Sequence, residues 1–192
     1  MDLEQPSAYF VHPVYWGSKL QYTRSWRNSI TKALSGKEQR SLLNNYVRRE
    51  LIYDVITRSQ SESYHLKKYL KAYIHMVWGV PLWQYDMSLS AQAASGQAVL
   101  NLVSTLYREI VTGALILLYT DYKTYEVGTV DTASSTQITL TGNLTSTWAS
   151  GTKVYPIMRS TIASAQEFGA KVPEVFAMNI QFVESYRGDS YS

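Results

Sequence analysis

The sequence predicts a mainly β protein of the α+β class, a β-sandwich with one amphipathic helix and an inserted small β-barrel. Three observations predict it. Two stretches, 49–57 and 175–184, alternate side chains with the period-two pattern of strands. Between residues 84 and 158, short apolar runs are separated at regular intervals by turn residues, as in small barrels and compact sandwiches. Only one segment has the helical period.

The first sixty residues read as strands broken by turns. Tyr9 to His12 precedes Pro13, Tyr22, Trp26 and Ile30 fall within 21–30, and Ser35-Gly36-Lys37 marks a reversal. In 49–57, Leu51, Tyr53 and Val55 lie on one face and Ile52, Asp54 and Ile56 on the other. Two largely apolar faces suit a strand covered on both sides. Ser59-Gln60-Ser61-Glu62 has capping-box spacing. Leu66, Tyr69, Leu70, Tyr73, Ile74 and Val77 then form a stripe, with Lys67, Lys68, Lys71 and His75 off it, so a helix is expected over 60–78, ended by Gly79 and Pro81. Candidate strands follow at 84–88, 98–102, 114–120, 124–130, 137–141 and 152–158, divided by turns such as Ser95-Gly96, Gly142-Asn143 and Ser150-Gly151. The strand at 175–184 is expected to return to the first sheet. Residues 1–83 would then start the sandwich, 84–158 form the inserted barrel, and 159–192 supply the return strand and a mobile tail.

Composition narrows the function. The 192 residues include no cysteine, which removes disulfides, thiolate metal sites and a cysteine nucleophile. The start of the chain shows no basic, apolar leader, so a secretory signal is not expected. The most apolar window, 114–119, is far short of the ~20 residues of a membrane span. There are 16 Tyr and 5 Trp against 4 Phe. Rings with a polar handle are favoured at partly wet contact surfaces, so the composition suggests a protein with wide contacts. Net charge is +3 but uneven: residues 24–49 hold seven basic residues and one acid, whereas 161–192 hold two basic residues and four acids. An ordinary solvated face accounts for this, as does an interface where one copy's basic region meets the acidic region of the next. Nucleic-acid binding is disfavoured by a pI of only about 8.9.

Catalytic signatures are scarce. No Gly-rich phosphate loop or Gly-x-Ser-x-Gly elbow occurs. Glu62-x-x-His65 matches half of a di-metal helix motif, but such sites need a second copy on a neighbouring helix, and capping explains Glu62 better. Asp54, on a mostly apolar strand, needs a partner or a shifted pKa, and a structural ion pair with an arginine from a neighbouring strand is the favoured reading. No catalytic residue, cofactor or metal is expected.

Three segments, in order, carry a family resemblance. The first runs over 26–49 and contains Ser35-Gly36-Lys37-Glu38-Gln39-Arg40 and Arg48-Arg49. The second is Trp78-Gly79-Val80-Pro81-Leu82-Trp83, and the third is Trp148-Ala149-Ser150-Gly151-Thr152-Lys153-Val154-Tyr155-Pro156. Together they resemble structural proteins of the tailed-bacteriophage tail tip, of the distal tail or baseplate-hub adaptor type. The resemblance implies a non-enzymatic virion protein that forms a ring of copies, hexameric in expectation, between the tail tube and the tip proteins, with no membrane and no specific nucleic acid. The candidate subunit interface is Lys37, Glu38, Arg40, Arg48, Arg49, Trp78 and Trp83. Opposite charges on Glu38 and Arg40, and the bidentate capacity of Arg48 and Arg49, suit contacts between copies. Core packing is the competing reading for the tryptophans, and intrachain salt bridges for the arginines. Alternative functions are a virion-associated glycan-binding module, with Tyr and Trp stacking on sugar rings, and a nucleic-acid-binding protein using residues 24–49.

Overall fold

A computed structural model describes residues 5–25, 28–32, 38–42, 47–106, 108, 110–168 and 176–185. The fold is mainly β with one helix among the described residues, and it divides into two compact units. One comprises Met1–Pro13 and Met76–Ser160, the other Val14–His75 and Thr161–Ser192.

In the second unit, β2 (Gln21–Ser25), β5 (Arg48–Ile56) and β13 (Ala177–Glu184) are antiparallel neighbours, following β1 (Ala8–Tyr9) of the other unit in chain order. The 177–184 stretch thus returns to the first sheet as expected, with Leu51 opposite Phe182, Tyr53 opposite Ile180 and Val55 opposite Met178. These six side chains are buried and make one face the core face. The opposite face is half-buried and mixed, Ile52 and Ile56 standing beside polar pairs: Asp54 accepts a 2.7 Å hydrogen bond from Asn179, and Glu50 pairs with Gln181. Asp54 is therefore satisfied by a cross-strand amide, not by the expected arginine. The separate hairpin of β3 (Asn28–Lys32) and β4 (Glu38–Leu42) is a two-stranded sheet of its own.

Helix α1 (Gln60–Tyr73) follows β5. Ser59 caps it, its Oγ accepting the Glu62 N–H at 3.2 Å, while the Glu62 carboxylate accepts the Arg58 N–H, one residue before the cap. Thr57 ties strand to helix: its hydroxyl lies 2.5 Å from Ser63 Oγ and accepts the Phe176 N–H. The helix stops at Tyr73, earlier than its apolar stripe suggested. Residues 78–81 are instead strand β6 (Trp78–Pro81), buried throughout and lying between β1 and β12 (Lys153–Phe168) in the other unit. A strand covered on both faces takes an unbroken apolar run, which here overrides the helical spacing.

That other unit is built on residues 153–160 of β12. They pair with β6, with β7 (Met87–Ser88) and with β9 (Leu115–Tyr119). From β9 the ladder continues through β10 (Tyr125–Ala133) and β11 (Gln137–Leu140) to β8 (Val99–Asn101). The expected closed barrel is not formed: the strand ladders make an open sheet. Its end is stitched to residues 88–90 by a Leu89–Leu102 bridge and by the hydrogen bonds Ser90 N–H to Asn101 O and Val103 N–H to Ser88 O. Inside the curl lies one apolar cluster, with Leu89, Leu100, Leu102, Ile116, Leu118, Val130, Ile138 and Val154 all buried. The circuit back to β12 is thus completed by an isolated bridge and a few backbone hydrogen bonds beside β7, not by a continuous ladder.

Gly79 shows why a glycine stands in β6. A Cβ there would lie 2.4 Å from the Tyr9 ring and 3.1 Å from Ile157. Gly79→Ala is expected to cost about 1–3 kcal/mol through overpacking. Chemical denaturation checks this, and an unchanged midpoint would show that the Tyr9 ring moves aside freely.

Candidate interaction surface

The interface residues expected from sequence lie on different elements of the chain. Lys37 lies outside the described residues. Glu38 and Arg40 are on β4, opposite Lys32 and Ile30 of β3. Arg48 and Arg49 begin β5, opposite Ser25 and Arg24 of β2.

Arg49 is engaged within the chain. Its Nε donates to Glu184 Oε1 at 2.8 Å, its Nη2 makes a further contact with that oxygen, and its backbone N–H donates to Oε2 at 3.1 Å. Glu184 is 3% exposed and extends the row of core-facing side chains on β13. Arg48 points to the other face, as alternation requires, and its Nε donates to the Glu184 carbonyl at 3.4 Å. Arg49 thus closes the end of the core with a charge pair, the intrachain reading of this residue.

Trp78 and Trp83 are corrected from interface to core, being 0% and 4% exposed. Trp78 packs edge-on against Phe10 at 5.9 Å, and Trp83 against Tyr119 at 5.2 Å and Tyr155 at 4.8 Å. Burial, with the Asp86 carboxylate nearby, pushes the Tyr155 hydroxyl above the usual phenol range. The Asp86–Lys153 ion pair beside it, at 2.8 Å, is exposed on both sides and contributes little.

Exposed apolar side chains stand elsewhere. In the unit containing β8, Val99, Val103, Leu106 and Val111 are all exposed, on β8 and on the segment linking it to β9. In the other unit, Trp16 is 65% exposed at the tip of a turn closed by the Ser18 N–H and hydroxyl, both donating to the Tyr15 carbonyl. The Tyr15 ring folds over Gly17, where a Cβ would come within 2.4 Å of it. Glycine therefore permits the turn that presents Trp16. Sequence reasoning passed over these residues because scattered Val, Leu and Trp read as core, and only the fold shows which of them lack cover.

A second feature without a local signal is Glu126 on β10. Its Oε1 accepts the Thr145 N–H at 2.5 Å and the Thr145 hydroxyl at 2.9 Å, and its Oε2 accepts the Ser146 N–H at 3.2 Å and the Trp148 indole at 2.8 Å. Burial by itself raises the pKa of this carboxyl, but the four donors together outweigh it and hold the group below the ordinary glutamate range. The clamp fixes the 143–148 segment, beside a shallow cleft of about 220 Å³ lined by residues 126–129 and 140–144.

No group of three or more His, Asp or Glu side chains placed to hold a metal ion occurs among the described residues. His65, of the half-motif, stacks on Tyr69 at 5.5 Å, and His12 on Tyr122 at 5.6 Å. No described helix is long and apolar enough to cross a membrane. No protein-family model matches the chain, and no curated protein matches it.

Proposed function

We propose that the chain is a virion structural protein, a ring-forming tail adaptor that links the tail tube to the tail tip through protein contacts and without catalysis. The three ordered motifs supply the class. The observation that carries the reading physically is the exposed aliphatic set Val99, Val103, Leu106 and Val111, since apolar side chains left in water on a folded unit favour a protein partner. Covering a Val or Leu of this kind is worth about 1.5–3 kcal/mol. A Val103→Asp/Leu106→Asp variant is expected to keep its melting temperature and lose assembly, read by light scattering and negative-stain imaging of concentrated protein. Wild-type chain that stays monomeric under those conditions, alone and with a tail-tube protein, would remove the proposal.

A second reading, a glycan-binding module on the virion, is favoured by Trp16, whose presented ring offers a face to a sugar. Under that reading Trp16→Ala abolishes retention on immobilised host-surface polysaccharide and leaves assembly intact. Absence of any retention of the wild type would discard it.

A further inference from the structure

We infer that the outward face of helix α1 docks an acidic helical segment of a different protein, the seam Tyr64, Lys68, Lys71 and His75 meeting carboxylates spaced one helical turn apart. The surface lies in the other unit from the exposed aliphatic set, and its occupant is not a copy of this chain, so the inference stands whether or not a ring forms. An α-helix turns by about 100° per residue, so positions 64, 68, 71 and 75 form one line along α1 and the turn that follows it. The line runs opposite Leu66, the one fully buried side chain of the helix. All four side chains are exposed, Tyr64 by 69%. Lys67, on the flank, instead lays its ammonium over the Phe176 ring at 4.2 Å. Among the described residues, nothing pairs with Lys68, Lys71 or His75.

The charge on this face works against the helix that carries it. Solvated helix faces gain from acids placed three or four residues from their lysines, and like charges at those spacings are destabilising. Lys68 and Lys71 stand three apart, and Lys67 and Lys71 four apart. The one acid of α1, Glu62, is engaged at the cap, where its carboxylate accepts the Arg58 N–H. The helix dipole favours Lys71 in the last turn but does nothing for Lys68 at mid-helix. A like-charged seam without an acid of its own is matched to negative charge from outside.

The described surface of a second copy offers few free acids to it. The carboxylates of Glu50, Asp54, Asp86, Asp121, Glu126 and Glu184 are already engaged within the chain. A polyanion would satisfy the lysines but leave Tyr64 and the flanking Ile74, 40% exposed, without apolar cover. An acidic helix answers both needs, since it presents carboxylates and apolar side chains along one face. Lys68 and Lys71 stand about 5–6 Å apart at their Cβ atoms, the spacing of acids three or four residues apart on such a helix.

The test uses the full chain and a fluorescein-labelled helical peptide of alanine and glutamate, its glutamates one turn apart, read by fluorescence anisotropy. The wild type is expected to bind at low salt and to release the peptide as salt is raised. Lys68→Glu/Lys71→Glu is expected to weaken binding about tenfold or more at an unchanged melting temperature, because two partly exposed ion pairs are exchanged for repulsion. Should that variant fail to fold, Lys68→Gln/Lys71→Gln reads the loss without reversed charge. Lys19→Glu/Lys123→Glu makes the same change in net charge at exposed lysines elsewhere and is expected to bind like the wild type. A wild type that does not bind the peptide, or equal losses in both Lys→Glu double variants, overturns the inference. Single-stranded DNA of matched charge, or phosphatidylserine vesicles, held through Lys68 and Lys71 more tightly than the peptide would overturn it in favour of that partner. Light scattering reads self-assembly separately, so a monomeric chain that binds the peptide removes the ring and leaves this surface standing.

Discussion

Arg49→Ala is expected to destabilise the chain by about 3 kcal/mol, towards the lower end of what breaking a buried ion pair costs. The asymmetry of the pair sets that figure. Glu184 is 3% exposed, so removing the guanidinium strands a carboxylate that water can hardly reach, while Arg49 itself is partly solvated at 24%. The Arg49 backbone N–H still donates to Glu184 Oε2 in the variant, which keeps the loss below the upper end of the range. Arg49→Lys is expected to recover only part of it, because an ammonium cannot reproduce the guanidinium fork. Arg48→Ala should cost less than Arg49→Ala, since the Arg48 Nε bond is a long one, 3.4 Å, to the Glu184 backbone carbonyl. Urea denaturation of the three variants, with Glu184→Ala and Arg49→Ala/Glu184→Ala to complete a double-mutant cycle, measures this directly. An Arg49→Ala chain that unfolds at the wild-type midpoint but no longer assembles would return Arg49 to the subunit interface and overturn the core assignment.

The contrast between Arg48 and Arg49 shows how far the residues alone could be read. Alternation correctly placed the two arginines on opposite faces, and it placed Leu51, Tyr53 and Val55 together on the core side. It could not show that the carboxylate meeting Arg49 lies 135 residues further on, because that depends on the register of β13 against β5. The same limit explains Asp54, whose need for a partner was legible but whose partner, Asn179, was not. Trp78 was misread for another reason. Val77 continued the helical stripe, and an apolar run covered on both faces has the same composition as a buried helical turn. The short strands between residues 84 and 158 were legible from their turns. Whether they closed a barrel was not, since the circuit is completed by an isolated Leu89–Leu102 bridge that no local pattern encodes. Exposed apolar residues such as Val103 and Leu106 lie beyond sequence reading altogether, because their significance is a property of what the fold leaves uncovered.

Glu126→Gln is expected to cost about 2–4 kcal/mol, although the substitution preserves shape. All four groups facing the carboxylate are placed as donors: the Thr145 and Ser146 N–H groups, the Thr145 hydroxyl and the Trp148 indole. An amide offers one acceptor oxygen, and its NH2 must face two of those donors, so one side of the clamp opposes itself. Trp148 is buried and pairs with Ala93 in an isolated bridge, so an indole left unsatisfied there loosens the wall of the inner cluster. Acid dependence gives a second, independent readout. The folded-state carboxyl titrates below the ordinary glutamate range. Its contribution is therefore complete above the unfolded-state value and disappears as pH falls through the lowered folded value. The stability gap between wild type and Glu126→Gln should be widest near neutral pH and narrow progressively on acidification. Urea midpoints measured across that range decide the matter. A variant that matches the wild type at neutral pH, or a gap that does not change with acid, would show that the four donors are satisfied by water and that Glu126 holds nothing in place.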